Sequence, residues 1–191
     1  MTLLKEFSLP TIITHGISAL IIGKALTAEV KTYRFWFYVM LCSMIPDLDV
    51  IGFRFGIKYG DLWGHRGMTH SILFAVVVGT MIGFFYVRRA RQKRGVKEQW
   101  FWSFFFSLII ASHGFFDALT DGGLGVAFFS PFDTTRYFFS WTPVKVSPIG
   151  TQGFFSQRGV DLMVSETLFI TFPLLIFLAF VRRVLRQKYS K

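Results

Sequence analysis

WFWSFFFSLIIASHGFFDAL, residues Trp100 to Leu119, is a stretch of almost unbroken apolar character that closes on His113-Gly114-Phe115-Phe116-Asp117. An α-helix needs about 20 apolar residues to cross the hydrocarbon of a bilayer, so the stretch reads as a membrane span. The i, i+4 spacing of its last motif puts an imidazole and a carboxylate on one helical face. Both are costly to hold in apolar surroundings without partners. The pair suits two ligands of one ion, a ligand and the group that orients it, or a His–Asp hydrogen bond joining helices.

The rest of the chain fits that reading. Of its 191 residues 52% are hydrophobic and 25 are Phe, more apolar surface than one soluble core holds. Three further runs are long enough to span: Ser8 to Leu26, His70 to Val87 and Val164 to Val181. A fifth, Tyr33 to Pro46, is short and stops at a proline ahead of two aspartates, and is read here as a thin span. The expected fold is all-α: one domain over residues 1–191, a polytopic membrane bundle of about five transmembrane segments with a long non-cytoplasmic loop. A signal peptide is a poorer reading of the first run, because no small-x-small cleavage site follows it. Cys42, the single cysteine, has no internal disulfide partner and reads as packing.

A net charge of +10 in a soluble protein would suggest nucleic acid. Here the excess sits in two blocks, Arg88, Arg89, Arg91, Lys93, Arg94 and Lys97, and Arg182, Arg183, Arg186, Lys188 and Lys191, each directly after an apolar run. That is the pattern of cytoplasmic anchors on anionic lipid, and nucleic acid is not an expected partner. The link from Asp47 to Thr69 balances Arg54, Lys58 and Arg66 against Asp47, Asp49 and Asp61. The longer link from Thr120 to Asp161 balances Arg136, Lys145 and Arg158 against Asp121, Asp133 and Asp161. Both are therefore expected outside the cytoplasm. The many aromatics of the longer link suggest a lid or lipid-docking surface, with Arg136, Lys145 and Arg158 placed for lipid phosphates.

All four histidines then gather with carboxylates at one side of the membrane. His15 lies within the first apolar run beside Thr14, and Pro46-Asp47-Leu48-Asp49 ends a helix and offers two carboxylates, hard ligands for Zn, Mn or Mg. His65-Arg66-Gly67-Met68-Thr69-His70-Ser71 turns into the next span; two histidines there can ligate while Arg66 faces an anion. The candidate metal ligands are His15, Asp47, Asp49, His65, His70, His113 and Asp117. Those seven would serve two metals, or one metal with a general base. Asp121 reads as a turn former near Thr120, and Glu166 as a helix-start residue.

Thr14-His15-Gly16, Pro46-Asp47-Leu48-Asp49, the His65 to Ser71 element and His113 to Asp117, followed by Thr120 and Gly122, together resemble the YdjM/YbcI type of LexA-regulated inner-membrane metal-dependent hydrolases of bacteria and archaea. The resemblance runs from Thr14 to about Pro131 and implies a membrane-bound hydrolase that depends on a metal. The expected cofactor is a divalent ion, zinc with manganese as the alternative. It would lower the pKa of bound water towards 7, with Asp47 or Asp49 as general base and Arg66 on a phosphoryl oxygen. A lipid ester or phosphoester at the outer face of the inner membrane is the expected substrate, and lipid the expected environment. The alternative is a metal-binding transporter, sensor or non-catalytic scaffold using the same ligands; its protein partners are unspecified.

Overall fold

The computed structural model describes residues 9–27, 32–89, 95–146 and 155–189. Helix α1 is Leu9–Leu26 and α2 is Tyr33–Ser43; the Thr32 hydroxyl starts α2 by accepting the Phe35 N–H at 3.3 Å. Pro46 cannot donate into a continuing α-helix, and the chain tightens there into a 3₁₀ segment, Pro46–Phe55, bent 51° from α2. Gly56, at φ 80°, ends it. A short 3₁₀ turn, Met68–His70, leads into α3, Ile72–Arg89, where Ser71 Oγ accepts the Phe74 N–H at 3.1 Å. Helix α4 is Val96–Asp117. Helix α5, Gln157–Glu166, passes through a π-turn, Thr167–Thr171, into α6, Phe172–Tyr189. Among the described residues no strand forms; the link after α4 is held by single pairings, Thr120 with Val144 and Val126 with Tyr137.

Helix α4 is the axis of the bundle. It packs along α3 most extensively and also against α1 and α2, while α1 meets α5 and α6. Gly79 and Gly83 of α3 face the backbone of Ser107 and Ser103 of α4, where a methyl group would collide with main-chain atoms. Small residues on both sides thus let the helices approach closely, as membrane helices do when no hydrophobic drive favours association. Away from the histidines, Phe35, Trp102, Phe105, Phe106 and Ile109 fill the interior. Phe35 meets Trp102 edge to face at 5.6 Å, a geometry aromatic quadrupoles favour.

Two helices, Ile72–Arg89 and Gln157–Gln187, are long and apolar enough to cross a membrane; the bent pair Tyr33–Ser43 and Pro46–Phe55 makes a third if it is one span. Only 22% and 17% of the two continuous spans is buried. Their outward faces carry Val76, Val77, Met81 and Phe85, and Leu175, Ile176 and Phe180. Bare apolar faces of that extent need lipid around them. The all-α membrane character is met, but among the described residues two or three helices, not five, are long and apolar enough to span: the apolar part of α1, Ile12–Leu26, is shorter, and α4, 22 residues long, does not qualify either. The last helix differs from expectation at its start. It begins at Gln157, so Glu166 lies inside it rather than opening it.

Candidate metal centre

The last turn of α4 carries His113 and Asp117, both buried. His113 Nδ1 lies 2.7 Å from the Ser43 carbonyl; a carbonyl only accepts, so Nδ1 carries the proton and Nε2 keeps its lone pair. Gly114 lets the Met68–His70 turn press against α4, since a Cβ there would stand 2.9 Å from the His70 carbonyl oxygen. His70 is oriented in the same way. Its Nδ1 is 3.2 Å from Asp49 Oδ2, leaving Nε2 as the free nitrogen.

The two free Nε2 atoms face two carboxylate oxygens. Asp47 Oδ1 is 3.2 Å from His113 Nε2 and 3.6 Å from His70 Nε2. Asp117 Oδ2 is 3.4 Å from His70 Nε2 and 3.7 Å from His113 Nε2. Ligands about 2.1 Å from a tetrahedral ion stand about 3.4 Å from one another, and the four separations bracket that value. Both Nε2 atoms are buried without a hydrogen-bond partner, an expensive arrangement unless something electrophilic sits between them. Asp47, His70, His113 and Asp117 therefore have the donor chemistry to hold a divalent ion, with their ligand atoms all within 4.8 Å of one another.

Asp49 does different work. Its Oδ1 meets His65 Nδ1 at 2.9 Å. Its Oδ2 accepts from the Thr69 hydroxyl at 2.7 Å and the Arg66 N–H at 3.3 Å and lies 3.2 Å from His70 Nδ1, which is hydrogen-bonded to the Thr69 hydroxyl oxygen at 3.1 Å. Asp49, His65 and His70 also form a second group of potential ligands. That group would use His70 Nδ1, whereas the first uses Nε2, and a neutral imidazole has one lone pair to give.

His15 stands behind Asp117. Its Nε2 is 3.4 Å from Asp117 Oδ1, and its ring stacks on His113 at 3.7 Å and 17°. Arg66 adopts φ 62°, a left-handed conformation that a non-glycine residue holds only when its surroundings impose it. Here its N–H is bonded to Asp49, its carbonyl accepts from Ala127 N–H at 3.0 Å, and its guanidinium donates to the Gly122 carbonyl at 2.9 Å. Arg66 Nε lies 3.2 Å from Asp117 Oδ2. Burial works against the charge, but Asp117, Tyr59 and Asp47 together outweigh it and raise the Arg66 pKa.

All seven expected ligands and Arg66 thus lie in one connected cluster, four of them around a common point. Two further residues belong to its frame. Glu166 is buried and accepts the Thr14 hydroxyl at 2.7 Å, tying α5 to α1 beside His15; its place next to an apolar run hid it as a helix-start acid. Arg136 donates to the carbonyls of His65 at 2.8 Å, Tyr59 at 3.0 Å and Asp61 at 3.2 Å. Nothing in the sequence pattern marks it for that task. Arg136 was expected to face lipid phosphate, as was Lys145; instead Arg136 clasps the loop before α3, and Lys145 pairs with Asp121 at 3.0 Å. Asp121 does act as a turn staple, accepting the Val146 N–H at 2.7 Å.

The family model for the YdjM inner membrane protein matches residues 10–189. This chain belongs to that family. It is 34% identical over 165 residues to the inner membrane protein YbcI of Escherichia coli (strain K12), an alignment covering 86% of this chain and 92% of that protein. No solved structure matches it. Family membership and the bare apolar helices agree that this is a membrane protein.

Proposed function

We propose that this protein is a membrane-embedded hydrolase that holds one divalent ion, zinc with manganese as the alternative, between His70 Nε2, His113 Nε2, Asp47 and Asp117. The observation that carries the proposal is the pair of buried Nε2 atoms, each unpartnered, each with its ring's other nitrogen tied to an acceptor, and each within 3.7 Å of two carboxylates. When bound, such an ion polarises an ester or phosphoryl oxygen and makes water a better nucleophile near neutral pH. The protein's own groups then divide the remaining tasks. Asp49, with both oxygens engaged by donors, is poorly placed to take a further proton; it orients His70 and His65. His65 Nδ1 donates to Asp49, so its Nε2 is the nitrogen free to accept a proton from attacking water. Asp47 is the least enclosed member of the central group, its side chain 16% exposed, and marks the side from which substrate approaches. Arg66 has donors beyond those given to Asp117 and Gly122, which suit an oxygen of a phosphoester.

The arrangement favours hydrolysis over transport, because beyond the site the interior closes with Phe105, Ile109 and Phe106 rather than continuing as a polar path. We assign five crossings, made by α1, thinly by α2 alone, by α3, by α4 and by the continuous helix of α5 and α6, and place the site at the non-cytoplasmic face opposite the two basic blocks. The substrate proposed is a lipid ester or phosphoester. Metal analysis of detergent-purified protein, with a panel of lipid phosphates, phosphodiesters and esters, tests this. One ion per chain is expected, with turnover abolished in His65→Ala at undiminished metal content. Metal-free wild-type protein, or full metal with no turnover across the panel, would overturn the hydrolase assignment.

A further inference from the structure

The segment Pro46–Phe55 supplies Asp47 and Asp49, and its opposite edge has no partner among the described residues. A 3₁₀ helix turns once every three residues, so side chains three apart line up in a row. Pro46, Asp49 and Gly52 form the inward row, with Pro46 and Asp49 buried. Leu48, Ile51 and Arg54 form the outward row, Leu48 58% and Ile51 48% exposed. Phe55, at the end where the inward row runs off the protein, is 79% exposed. Asp47 belongs to the row between.

This bare edge follows an exposed apolar surface on α2. On α2 the exposed apolar side chains include Phe37, Tyr38 and Leu41, and beyond the bend Leu48 and Ile51 are exposed in turn. The second segment turns 51° away from α2 and so leaves the direction in which α2 runs. At the far end the apolar row gives way to Arg54 and Lys58, both exposed, where cationic groups meet lipid phosphate. An apolar edge with a cationic end is the signature of a helix lying in the interfacial plane.

We infer that Pro46–Phe55 lies along the bilayer interface with Leu48 and Ile51 in the lipid, so that the metal centre opens sideways past Asp47 to a substrate resident in the leaflet. The occupant of this edge is the acyl-chain boundary of the membrane. The sideways approach rests on the hydrolase reading; the lipid contact does not.

Full-length protein in nanodiscs of phosphatidylethanolamine and phosphatidylglycerol, with Cys42→Ser and a single cysteine replacing Leu48, Ile51 or Lys58, is labelled with an environment-sensitive fluorophore. Quenching by brominated acyl chains should be several-fold stronger at the first two positions than at Lys58, and quenching by aqueous iodide should show the reverse. Iodide quenching at Leu48 and Ile51 equal to that at Lys58 would overturn the inference, as would protection from both quenchers, which means a second copy or another protein covers the edge. Metal content of each variant confirms an intact site. For the approach route, Leu48→Ser with Ile51→Ser should slow turnover of bilayer-borne substrate but not of the same substrate in detergent micelles; equal rates in both would exclude it. A correct quenching pattern in a protein that hydrolyses nothing keeps the lipid contact and removes the hydrolase.

Discussion

Replacing Asp49 by Asn tests the division of labour between the two aspartates of Pro46-Asp47-Leu48-Asp49. The Asp49 carboxylate meets His65 Nδ1, His70 Nδ1, the Thr69 hydroxyl and the Arg66 N–H. An amide has one acceptor oxygen, and its NH2 group donates where a donor already stands, so one imidazole loses its partner. Loss of the group that orients a ligating histidine costs about 10- to 100-fold in metal affinity, or about 1.4–2.7 kcal/mol. Asp47→Asn, which weakens a proposed ligand itself, should cost more. Zinc affinity is measured by competition with a chromogenic chelator in detergent, and stoichiometry by mass spectrometry of the bound metal. Asp49→Asn should lower affinity in that range and leave the stoichiometry at one. Wild-type protein holding two ions, with Asp49→Asn holding one at unchanged affinity, would refute the reasoning and make Asp49 a ligand in its own right.

Gly83→Leu should push α4 off α3, because the added side chain meets the backbone of Ser103; overpacking of this kind costs about 1–3 kcal/mol, read as a lowered thermal midpoint in detergent, while a substitution at lipid-facing Val77 should leave it unchanged. Glu166→Leu should leave the buried Thr14 hydroxyl without its acceptor and destabilise by about 1–3 kcal/mol, with Thr14→Val in the same chain restoring much of the loss; absence of rescue would mean that Glu166 acts through other neighbours. Arg136→Ala removes three hydrogen bonds to the carbonyls of Tyr59, Asp61 and His65, so Lys58 to Arg66 should become sensitive to trypsin at enzyme levels that spare the parent. Unchanged cleavage would show that the loop is held without this clasp.

The helical membrane character and the gathering of histidines with aspartates were legible because both follow from cost. Long apolar runs demand lipid, and imidazoles or carboxylates within them demand partners. The different roles of Asp47 and Asp49 were not legible. In sequence both are acids two apart after a proline; only the tight three-residue turn sends one to the centre and the other to the Nδ1 atoms behind it. Glu166 was misplaced because the apolar pattern begins near Val164, whereas the helix already runs through the polar residues from Gln157. The break between α2 and Pro46–Phe55 was marked by Pro46, but its 51° bend depends on packing that no local pattern records. Arg136 looked like any cation in an aromatic loop, since backbone carbonyls as partners leave no trace in side-chain pattern.

The α3–α4 seam has a consequence for how the centre comes into being. His70, His113 and Asp117 all lie between Met68 and Asp117, at one end of a helical hairpin held by close backbone approach, so three donors are in register once that hairpin has formed. Asp47 arrives from the preceding half of the chain, docked through the contact of Ser43 with His113. On the proposed reading the ion would be held by residues from both parts of the chain, and its affinity becomes a gauge of whether they have met. A detergent that parts α2 from α4 should strip the metal while every helix remains intact, which makes metal retention a more sensitive criterion of native assembly than helicity.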